Sequence, residues 1–332
     1  MRAVLMTAVG GPEVLQLTEV PDPELSGDHD VLVRLRAAGI NPVDYKLRQH
    51  GTFGNVLPAI LGWDGAGVVE RTGPAVTRVR PGDEVYFCDG GFGPVPGTYA
   101  EAKVVDERYL ARKPERLSFT EAAAAPLVTI TAWEALRERA RVSAGQTVLV
   151  QAGAGGVGHM SVQIARLAGA RVATTVSPGA KAELAASLGA ELCIDYTRED
   201  VGDKLRAFTG TDGADVVHDT VGGKTFTACF FLTRPYGDLV SNVESPWEDE
   251  AVEAMHNRNL RVSFTWTPAP SVYGWAEHRE RQRGILEQAA GHFGAGELRV
   301  QVGATFPLAQ AADAHRALEV GQVTGKAVLI MD

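Results

Sequence analysis

An α/β chain in two parts, a doubly wound parallel sheet joined to an irregular, mainly antiparallel β domain, is predicted by three features of this 332-residue sequence. From about Gln146 onward, short β-branched runs alternate with Ala/Leu-rich stretches every 20 residues or so, at about the spacing of repeated βα units. A glycine-rich loop stands where the first of these strands gives way to its helix. Residues before about Glu121 follow another pattern, with short strands between Gly/Pro turns such as Arg80-Pro81-Gly82-Asp83. At roughly 150 residues per domain, the length suits two domains with cores of ordinary size.

In the first part the strands are read at Val31 to Arg36 and Gly67 to Arg71. Glu121 to Leu136 reads as a helical crossover into the second part. There the strands are Thr147 to Gln151, Arg171 to Val176, Leu192 to Asp195, Ala214 to His218, Gly237 to Val243 and Leu260 to Phe264. Between the first two, Val157, Met160, Ile164 and Leu167 recur at helical spacing, and Gly169 follows as a C-terminal stop. Past Trp266 comes one long charged helix, Val272 to Phe293, then a strand, an Ala-rich helix and a final strand, Ala327 to Met331. These last pieces break the βα rhythm and are expected to return to the first domain, giving 1–122 and 268–332 for one domain and 123–267 for the other.

Composition removes several classes of function. Hydrophobic residues are 45% and charged residues 22%, ordinary for a folded globular chain. The formal net charge of −9 offers no overall footprint for phosphate backbones or anionic lipid, so nucleic acid is not expected as a partner. Cys88, Cys193 and Cys229 are odd in number and far apart, which fits neither a disulfide framework nor a Cys-rich zinc site. No two of the eight histidines lie within four residues of each other, so the paired ligands of a zinc hydrolase helix are missing, and no G-x-S-x-G elbow is present. The opening residues lack a signal peptide's apolar middle, and no run approaches the length of a membrane span. A reducing cytoplasm is the expected home.

After the strand at Thr147 to Gln151 the chain reads Ala152 and then Gly153-Ala154-Gly155-Gly156-Val157-Gly158, a G-x-G-x-x-G in register before an amphipathic helix. Glycines there permit the tight turn and the approach of backbone to a pyrophosphate, while the helix start supplies unpaired N–H donors. The bare motif also fits a flexible turn; the strand before it and the helix after it favour a dinucleotide site. NAD-preferring sites usually carry an acid at the end of the second strand, yet Ala170 to Lys181 contains none. Thr174, Thr175 and Ser177 stand there instead, with cations at Arg171 and Lys181. Hydroxyls beside a lysine suit a 2′-phosphate that a carboxylate would repel, so NADP(H) is the expected cofactor, although Lys181 also reads as a solvated first-turn residue.

Further motifs extend over nearly the whole chain. They are Gly39-Ile40-Asn41-Pro42-Val43-Asp44-Tyr45-Lys46, Leu61-Gly62-Trp63-Asp64-Gly65-Ala66-Gly67, Val79-Arg80-Pro81-Gly82-Asp83-Glu84-Val85, Gly97-Thr98-Tyr99-Ala100-Glu101, Thr131-Ala132-Trp133, Ile194-Asp195-Tyr196, Asp219-Thr220-Val221-Gly222 and Gly325-Lys326-Ala327-Val328-Leu329. In this order they resemble the medium-chain dehydrogenase/reductase superfamily, and within it the zinc-free quinone oxidoreductase branch that includes ζ-crystallin and plant enone oxidoreductases. The resemblance implies a GroES-like, mainly β catalytic domain plus a Rossmann doubly wound parallel sheet domain, with a cleft between them.

Zinc-dependent members of that superfamily carry a Cys where this chain has Asn41 and a G-H-E where it has Gly62-Trp63-Asp64. An indole does not ligate zinc, and three cysteines cannot build the four-Cys structural lobe, so no metal is expected. An acceptor that is already electrophilic needs less help than an alcohol does. Quinones and α,β-unsaturated carbonyls qualify, because charge arriving with a hydride spreads onto an oxygen that hydrogen-bond donors can stabilise. The resemblance implies that Asn41 orients the acceptor carbonyl, that Lys46 holds the nicotinamide ribose, and that Tyr45 lines the pocket or donates a proton.

The cofactor set it implies is Asn41, Lys46, Thr131, Gly153, Gly155, Gly156, Val157, Gly158, Ser177, Lys181, Tyr196, Val221, Ser241 and Lys326. Read by themselves, Asn41-Pro42 also makes a turn, Asp44 is better placed to cap a short helix than to act as an acid or base, and Trp63 fits plain core packing. Thr324 stands where relatives often have a cation. The expected activity is zinc-independent, NADPH-dependent reduction of quinones or enones by a homodimer joined through Leu260 to Thr265. An enoyl-thioester reductase and an NADPH-binding regulatory or RNA-binding protein are the rival readings.

Overall fold

The computed structural model describes residues 1–331. It divides into two compact units, one of residues 1–127, 268–296 and 300 onward, the other of residues 128–267 and 297–299. The first unit opens with β1 (Arg2–Met6), β2 (Leu15–Glu19), β3 (Asp30–Ile40), α1 (Pro42–His50), β4 (Ala59–Ile60), β5 (Asp64–Thr72), β6 (Glu84–Cys88), β7 (Ala102–Asp106), β8 (Ala111–Arg112) and α2 (Phe119–Ala124). Through α3 (Pro126–Trp133) the chain enters the second unit, made of β9 (Thr147–Val150), α4 (Gly156–Leu167), β10 (Arg171–Val176), α5 (Ala180–Ser187), β11 (Leu192–Asp195), α6 (Val201–Thr209), β12 (Ala214–Asp219), α7 (Lys224–Leu232), β13 (Thr233–Ser241), α8 (Asp249–Asn257) and β14 (Arg261–Phe264). The first unit is completed by α9 (Ala269–Val272), α10 (Ala276–Ala295), β15 (Val302–Pro307), α11 (Ala311–Glu319) and β16 (Lys326–Ile330).

In the second unit six strands run parallel in the order β11-β10-β9-β12-β13-β14. The direction of winding reverses between β9 and β12, which is the switch point at which doubly wound sheets bind ligands beyond the carboxyl ends of their strands. Val148, Leu149 and Val150 are buried, as expected for a strand covered on both faces, and Phe226 and Phe230 meet edge to face at 5.0 Å within the helical layer.

The first unit is built on β3, which pairs with β5, β7 and β16, all antiparallel. Its main sheet has the order β15-β16-β3-β5-β6-β8, and a smaller sheet has the order β2-β1-β4. Trp63, Tyr86, Phe87 and Tyr99 are fully buried in its core, and each side chain of this size contributes about 1.5–3 kcal/mol on burial. Register matters for function here: Asp64 lies opposite Gly39 across β5 and β3, and Ala327 lies opposite Ile40 across β16 and β3. A Cβ at residue 39 would come 2.3 Å from Ala123 O and 3.0 Å from Asp64 Cβ, so glycine lets α2 and β5 close on the end of β3.

Three elements differ from the sequence reading. The long helix expected over Val272 to Phe293 is split, because Gly274 takes a positive φ of 70° and the helix restarts at Ala276. The crossover at Glu121 to Leu136 is divided by Pro126 and ends in a wide turn in which Ala140 N–H bonds to Ala135 O. The strand placed at Gly237 to Val243 begins at Thr233 and ends at Ser241. Proline and glycine set the first two boundaries, while in the third the strand runs through Pro235.

Candidate active site

Most of the expected site residues fall into two groups, one in each unit. In the second unit they lie at or just beyond the carboxyl ends of the parallel strands: residues 153–158 after β9, Ser177 after β10, Tyr196 after β11, Val221 after β12 and Ser241 at the end of β13. Lys181 sits half-buried in the first turn of α5. Thr131 is also in this unit, its hydroxyl 2.6 Å from that of Thr267.

The glycine loop is shaped by contacts that a side chain would destroy. A Cβ on Gly153 would lie 2.1 Å from Thr174 Oγ1, and one on Gly158 would lie 2.1 Å from Ala152 O. Ala152 itself is held at a φ of 50°, a strained value for a residue other than glycine, and its N–H donates to Thr175 Oγ1 at 3.0 Å. Gly155 caps α4, and its own Cβ position meets nothing closer than Ala152 O at 3.2 Å. The loop therefore packs tightly underneath and leaves open the face from which the first N–H groups of a twelve-residue helix project. This cradle fits a pyrophosphate.

The hydroxyls around it have separate tasks. Thr174 donates to Val150 O and Thr175 to Gln151 Oε1, both at 2.6 Å and both buried, so neither is left for a ribose or phosphate. Ser177, just after β10, and Lys181, in the first turn of α5, remain, and neither side chain has an ion-pair or hydrogen-bond partner among the described residues. Ser241, expected among the cofactor residues, donates to Asp219 Oδ2 at 2.7 Å and accepts from Val243 N–H at 3.1 Å. Asp219 Oδ1 in turn takes the N–H groups of Val221 and Gly222. The serine and aspartate thus shape the loop after β12. Tyr196 and Val221 are 57% and 48% exposed, open enough to cover a bound nucleotide.

In the first unit, Asn41, Tyr45 and Lys46 sit at the start of α1 and Lys326 at the start of β16. Lys46 is exposed and without an ion pair among the described residues, and Tyr45 is half-buried. Asn41 occupies the N-cap position, but the capping contact runs the other way: Asp44 Oδ2 accepts the Asn41 N–H at 2.7 Å, and Asp44 Oδ1 accepts the Gly62 N–H at 3.2 Å. The Asn41 side chain is free to turn inward, where Nδ2 donates to Asp64 Oδ2 at 2.8 Å and Oδ1 accepts a short hydrogen bond from Lys326 Nζ.

Lys326, expected among the cofactor residues, directs its remaining N–H groups to Ile40 O at 2.9 Å and Asp64 Oδ2 at 3.3 Å, so all three are spent inside this cluster. Asp64 Oδ1 receives the Leu127 N–H at 2.8 Å. Sequence spacing could not have assembled this group, since Asn41 and Lys326 are 285 residues apart.

Burial dominates the electrostatics. It pushes the Asp44 carboxyl up to about 7, partly opposed by the Asn41 N–H and the Lys326 charge. Asp64 is raised for the same reason, with Lys326 and Asn41 pulling it back. Tyr99, which hydrogen-bonds toward Asp44, is raised by burial and by that carboxylate, and its hydroxyl lies 3.0 Å from His315 Nε2. Burial, helped by the Arg48 charge, holds His315 down at about 3. Arg48 is itself buried and paired through Nη2 with Glu319 at 2.6 Å.

Trp63 is fully buried and stacks on Phe92 with centroids 5.6 Å apart, and Phe92 meets Phe53 edge to face at 6.3 Å. The Trp63 Nε1–H has no hydrogen-bond partner among the described residues. Trp63 is thus core packing as the sequence suggested, yet it carries one unpaired donor. No cluster of three or more His, Cys, Asp or Glu stands ready to hold a metal ion among the described residues, and no helix there is long and apolar enough to cross a membrane.

Comparison with known proteins agrees with this geometry. Residues 27–115 match the alcohol dehydrogenase GroES-like domain, and residues 188–329 match the zinc-binding dehydrogenase family. A quinone oxidoreductase of Pseudomonas aeruginosa is 33% identical over 331 residues, covering 99% of each chain. The chloroplastic NADPH-dependent alkenal/one oxidoreductase of Arabidopsis thaliana is 35% identical over 341 residues, covering 99% of this chain and 79% of that one. Among solved structures, Escherichia coli quinone oxidoreductase complexed with NADPH superposes with a TM-score of 0.87 at 27% identity, covering 99% of this chain and all of the other. With a parallel-sheet unit, a β unit and relatives matched end to end, the chain is an oxidoreductase that belongs to the quinone oxidoreductase branch of the medium-chain dehydrogenase/reductase superfamily.

Proposed function

We propose that this protein is a zinc-independent, NADPH-dependent reductase of quinones and α,β-unsaturated carbonyls. Two observations carry the reading: an open glycine cradle in one unit and, in the other, a buried Asn41 amide held by Lys326 and Asp64. The names of the Arabidopsis and E. coli relatives support NADPH as the cofactor. NADPH, when bound, supplies the hydride.

The residues of this chain do the rest. The N–H groups at the start of α4 hold the pyrophosphate, Ser177 and Lys181 receive the 2′-phosphate, Tyr196 and Val221 cover the adenosine side, and Thr131 contributes at the nicotinamide end. Lys46 holds the nicotinamide ribose and Tyr45 lines the acceptor pocket. Asn41 takes the place of a Lewis acid: an amide N–H donates to the acceptor oxygen as charge arrives there. A thioester acceptor would bring phosphates that need cations, and the flanking loops 51–57 and 90–96 contain none. We also propose a homodimer, with the second copy along β14, the terminal strand of its sheet.

The test is NADPH oxidation, with NADH in parallel, against 1,4-benzoquinone, 9,10-phenanthrenequinone, an alkenal, a vinyl ketone and crotonyl-CoA, with and without a chelator. Chelator-insensitive turnover of quinones or free enones with NADPH is the expected result. Tight NADPH binding with no turnover of any acceptor would overturn the reading in favour of a regulatory role, and chelator-sensitive oxidation of alcohols would overturn the zinc-independent part.

A further inference from the structure

Asn41 is held from both sides by opposite charges. Its Oδ1 accepts from the Lys326 ammonium, and its Nδ2 donates to Asp64 Oδ2 at 2.8 Å. The two charged groups also contact each other at 3.3 Å, and they are 2% and 0% exposed. This arrangement fixes which way the amide points, since the reverse orientation would set an NH2 group against an ammonium. It also leaves one Nδ2–H without a partner inside the cluster. The neighbours of both charges are accounted for: Lys326 meets Ile40 O, Asn41 and Asp64, while Asp64 meets Leu127 N–H, Asn41 and Lys326, with the Cys88 thiol and Asp44 close by. An N-cap asparagine usually spends its side-chain oxygen on the helix. Here Asp44 closes the cap by accepting the Asn41 N–H, and the amide is committed to the ion pair.

We propose that Lys326 and Asp64 are positioning residues for the reduction: they clamp and polarise the Asn41 amide so that its remaining Nδ2–H is presented to the acceptor oxygen. This rests on the reductase reading above. With NADPH bound, reduction of an enone would form a C–H bond at its β carbon as the dihydronicotinamide C–H bond breaks, the hydride passing across and leaving NADP+. The alkene π pair moves into the bond between the α carbon and the carbonyl carbon, the carbonyl π pair moves onto the oxygen to give an enolate, and water then protonates the α carbon, restoring the carbonyl and leaving hydroxide. Asn41 keeps its proton throughout. A cation on the amide oxygen draws electrons from the nitrogen and strengthens its N–H as a donor, and low surrounding polarity strengthens it further. The ammonium thus assists the developing oxyanion through one intervening amide, where a zinc ion would assist it directly.

The experiment compares Lys326→Met, Asp64→Asn and the charge-neutral double variant with the unmodified protein, using acceptors of graded electrophilicity from 9,10-phenanthrenequinone to a vinyl ketone to a β-substituted enone. The double variant removes both members of the ion pair together and is the one chosen to survive folding. The expected result is a fall in kcat of roughly 10- to 100-fold on the least electrophilic enone, shrinking towards the quinone, with KM for the acceptor and the NADPH Kd from fluorescence little changed. Equal losses on every acceptor, a change confined to KM, or no loss would overturn the clamp while leaving the reductase reading intact. Failure of the unmodified protein to reduce any acceptor would remove that reading and the clamp with it.

A second measurement needs no folded ion-pair variant. In [15N]Asn-labelled unmodified protein with NADP+, a phenolate presents an oxyanion that cannot be reduced. It should shift one of the two Asn41 Nδ2 protons downfield, the signal being identified by its absence from Asn41→Ala. No shift would overturn the clamp.

Discussion

The two groups of candidate site residues, one in each unit, are built from different materials. In the parallel-sheet unit the proposed cofactor surface is mostly backbone: glycines packed against Thr174 and Ala152, the open end of α4, and exposed side chains such as Tyr196 at the rim. In the β unit the chemistry lies in side chains, Asn41, Asp44, Asp64 and Lys326, all buried and almost all committed to one another. A backbone cradle grips a group that every cofactor of its class shares, and it is ruined by adding atoms. A side-chain cluster sets reactivity, and it is changed by altering charge with little change in volume. Substitutions should therefore separate the two, with binding lost in one unit and turnover lost in the other.

The largest effect is expected in the cradle. Gly158→Val would force a side chain against Ala152 O, 2.1 Å from its Cβ, where only the backbone itself can move. The clash displaces the loop backbone that would meet the pyrophosphate, and NADPH affinity is expected to weaken by roughly 30-fold, about 2 kcal/mol of binding. Gly291→Ala is the matching control: its Cβ meets nothing within 4 Å in the middle of α10, and NADPH titration should find its affinity unchanged. Equal affinities for the two variants would show that the cradle does not hold the cofactor.

Next comes Asn41→Ala, which removes the donor while leaving Asp64 and Lys326 paired with each other at 3.3 Å. Loss of an oxyanion donor lowers kcat by roughly 10² to 10³. Steady-state kinetics on a vinyl ketone should show this fall with a far smaller change in NADPH affinity. If affinity fell as much as kcat, Asn41 would belong to the cofactor side of the comparison.

A smaller effect is expected from Lys181→Glu in the first turn of α5, just beyond β10. Placing a carboxylate where the stretch from Ala170 to Lys181 has none should lower the preference for NADPH over NADH by about tenfold, read as the ratio of kcat/KM values. An unchanged ratio would mean that Lys181 is only a solvated helix residue and that the discrimination rests elsewhere.

The same division explains how much could be read from the sequence. The cradle was legible because strand, glycine loop and helix are contiguous, so spacing alone gives the geometry. Missing from that reading was the use of Thr174 and Thr175, whose hydroxyls turn back to Val150 O and Gln151 Oε1. The facing direction of a strand residue's hydroxyl is not set by spacing. In the β unit, Asn41 could be named from its motif and Asp44 from its capping position. The resemblance places Lys326 with the cofactor, and its motif lies at the far end of the chain from Asn41. Only the pairing of β16 with β3, Ala327 opposite Ile40, brings that lysine to the asparagine. Long-range register of this kind leaves no local signal.

The last prediction concerns stability rather than binding or turnover: the pH dependence at Asp44, whose sign separates a buried cap from a solvated surface acid. Burial raises its carboxyl from an ordinary 3.8 to about 7 in the folded protein, so between these limits the native state binds a proton that the unfolded chain has released. Stability must then fall as pH rises from about 4 through about 7, and the contribution is complete below the lower limit. His315 and His218 work in the opposite direction, since burial lowers them to about 3 and about 4 and unfolding lets them charge as pH falls below their ordinary value. The total curve mixes both trends, so the informative quantity is the difference between the protein and Asp44→Asn. Urea unfolding across this range should show the unmodified protein losing its advantage over Asp44→Asn as pH rises. A constant difference would mean that Asp44 titrates as it does in the unfolded chain, and a growing one that its charged form is the better satisfied, as for an ordinary N-terminal helix acid.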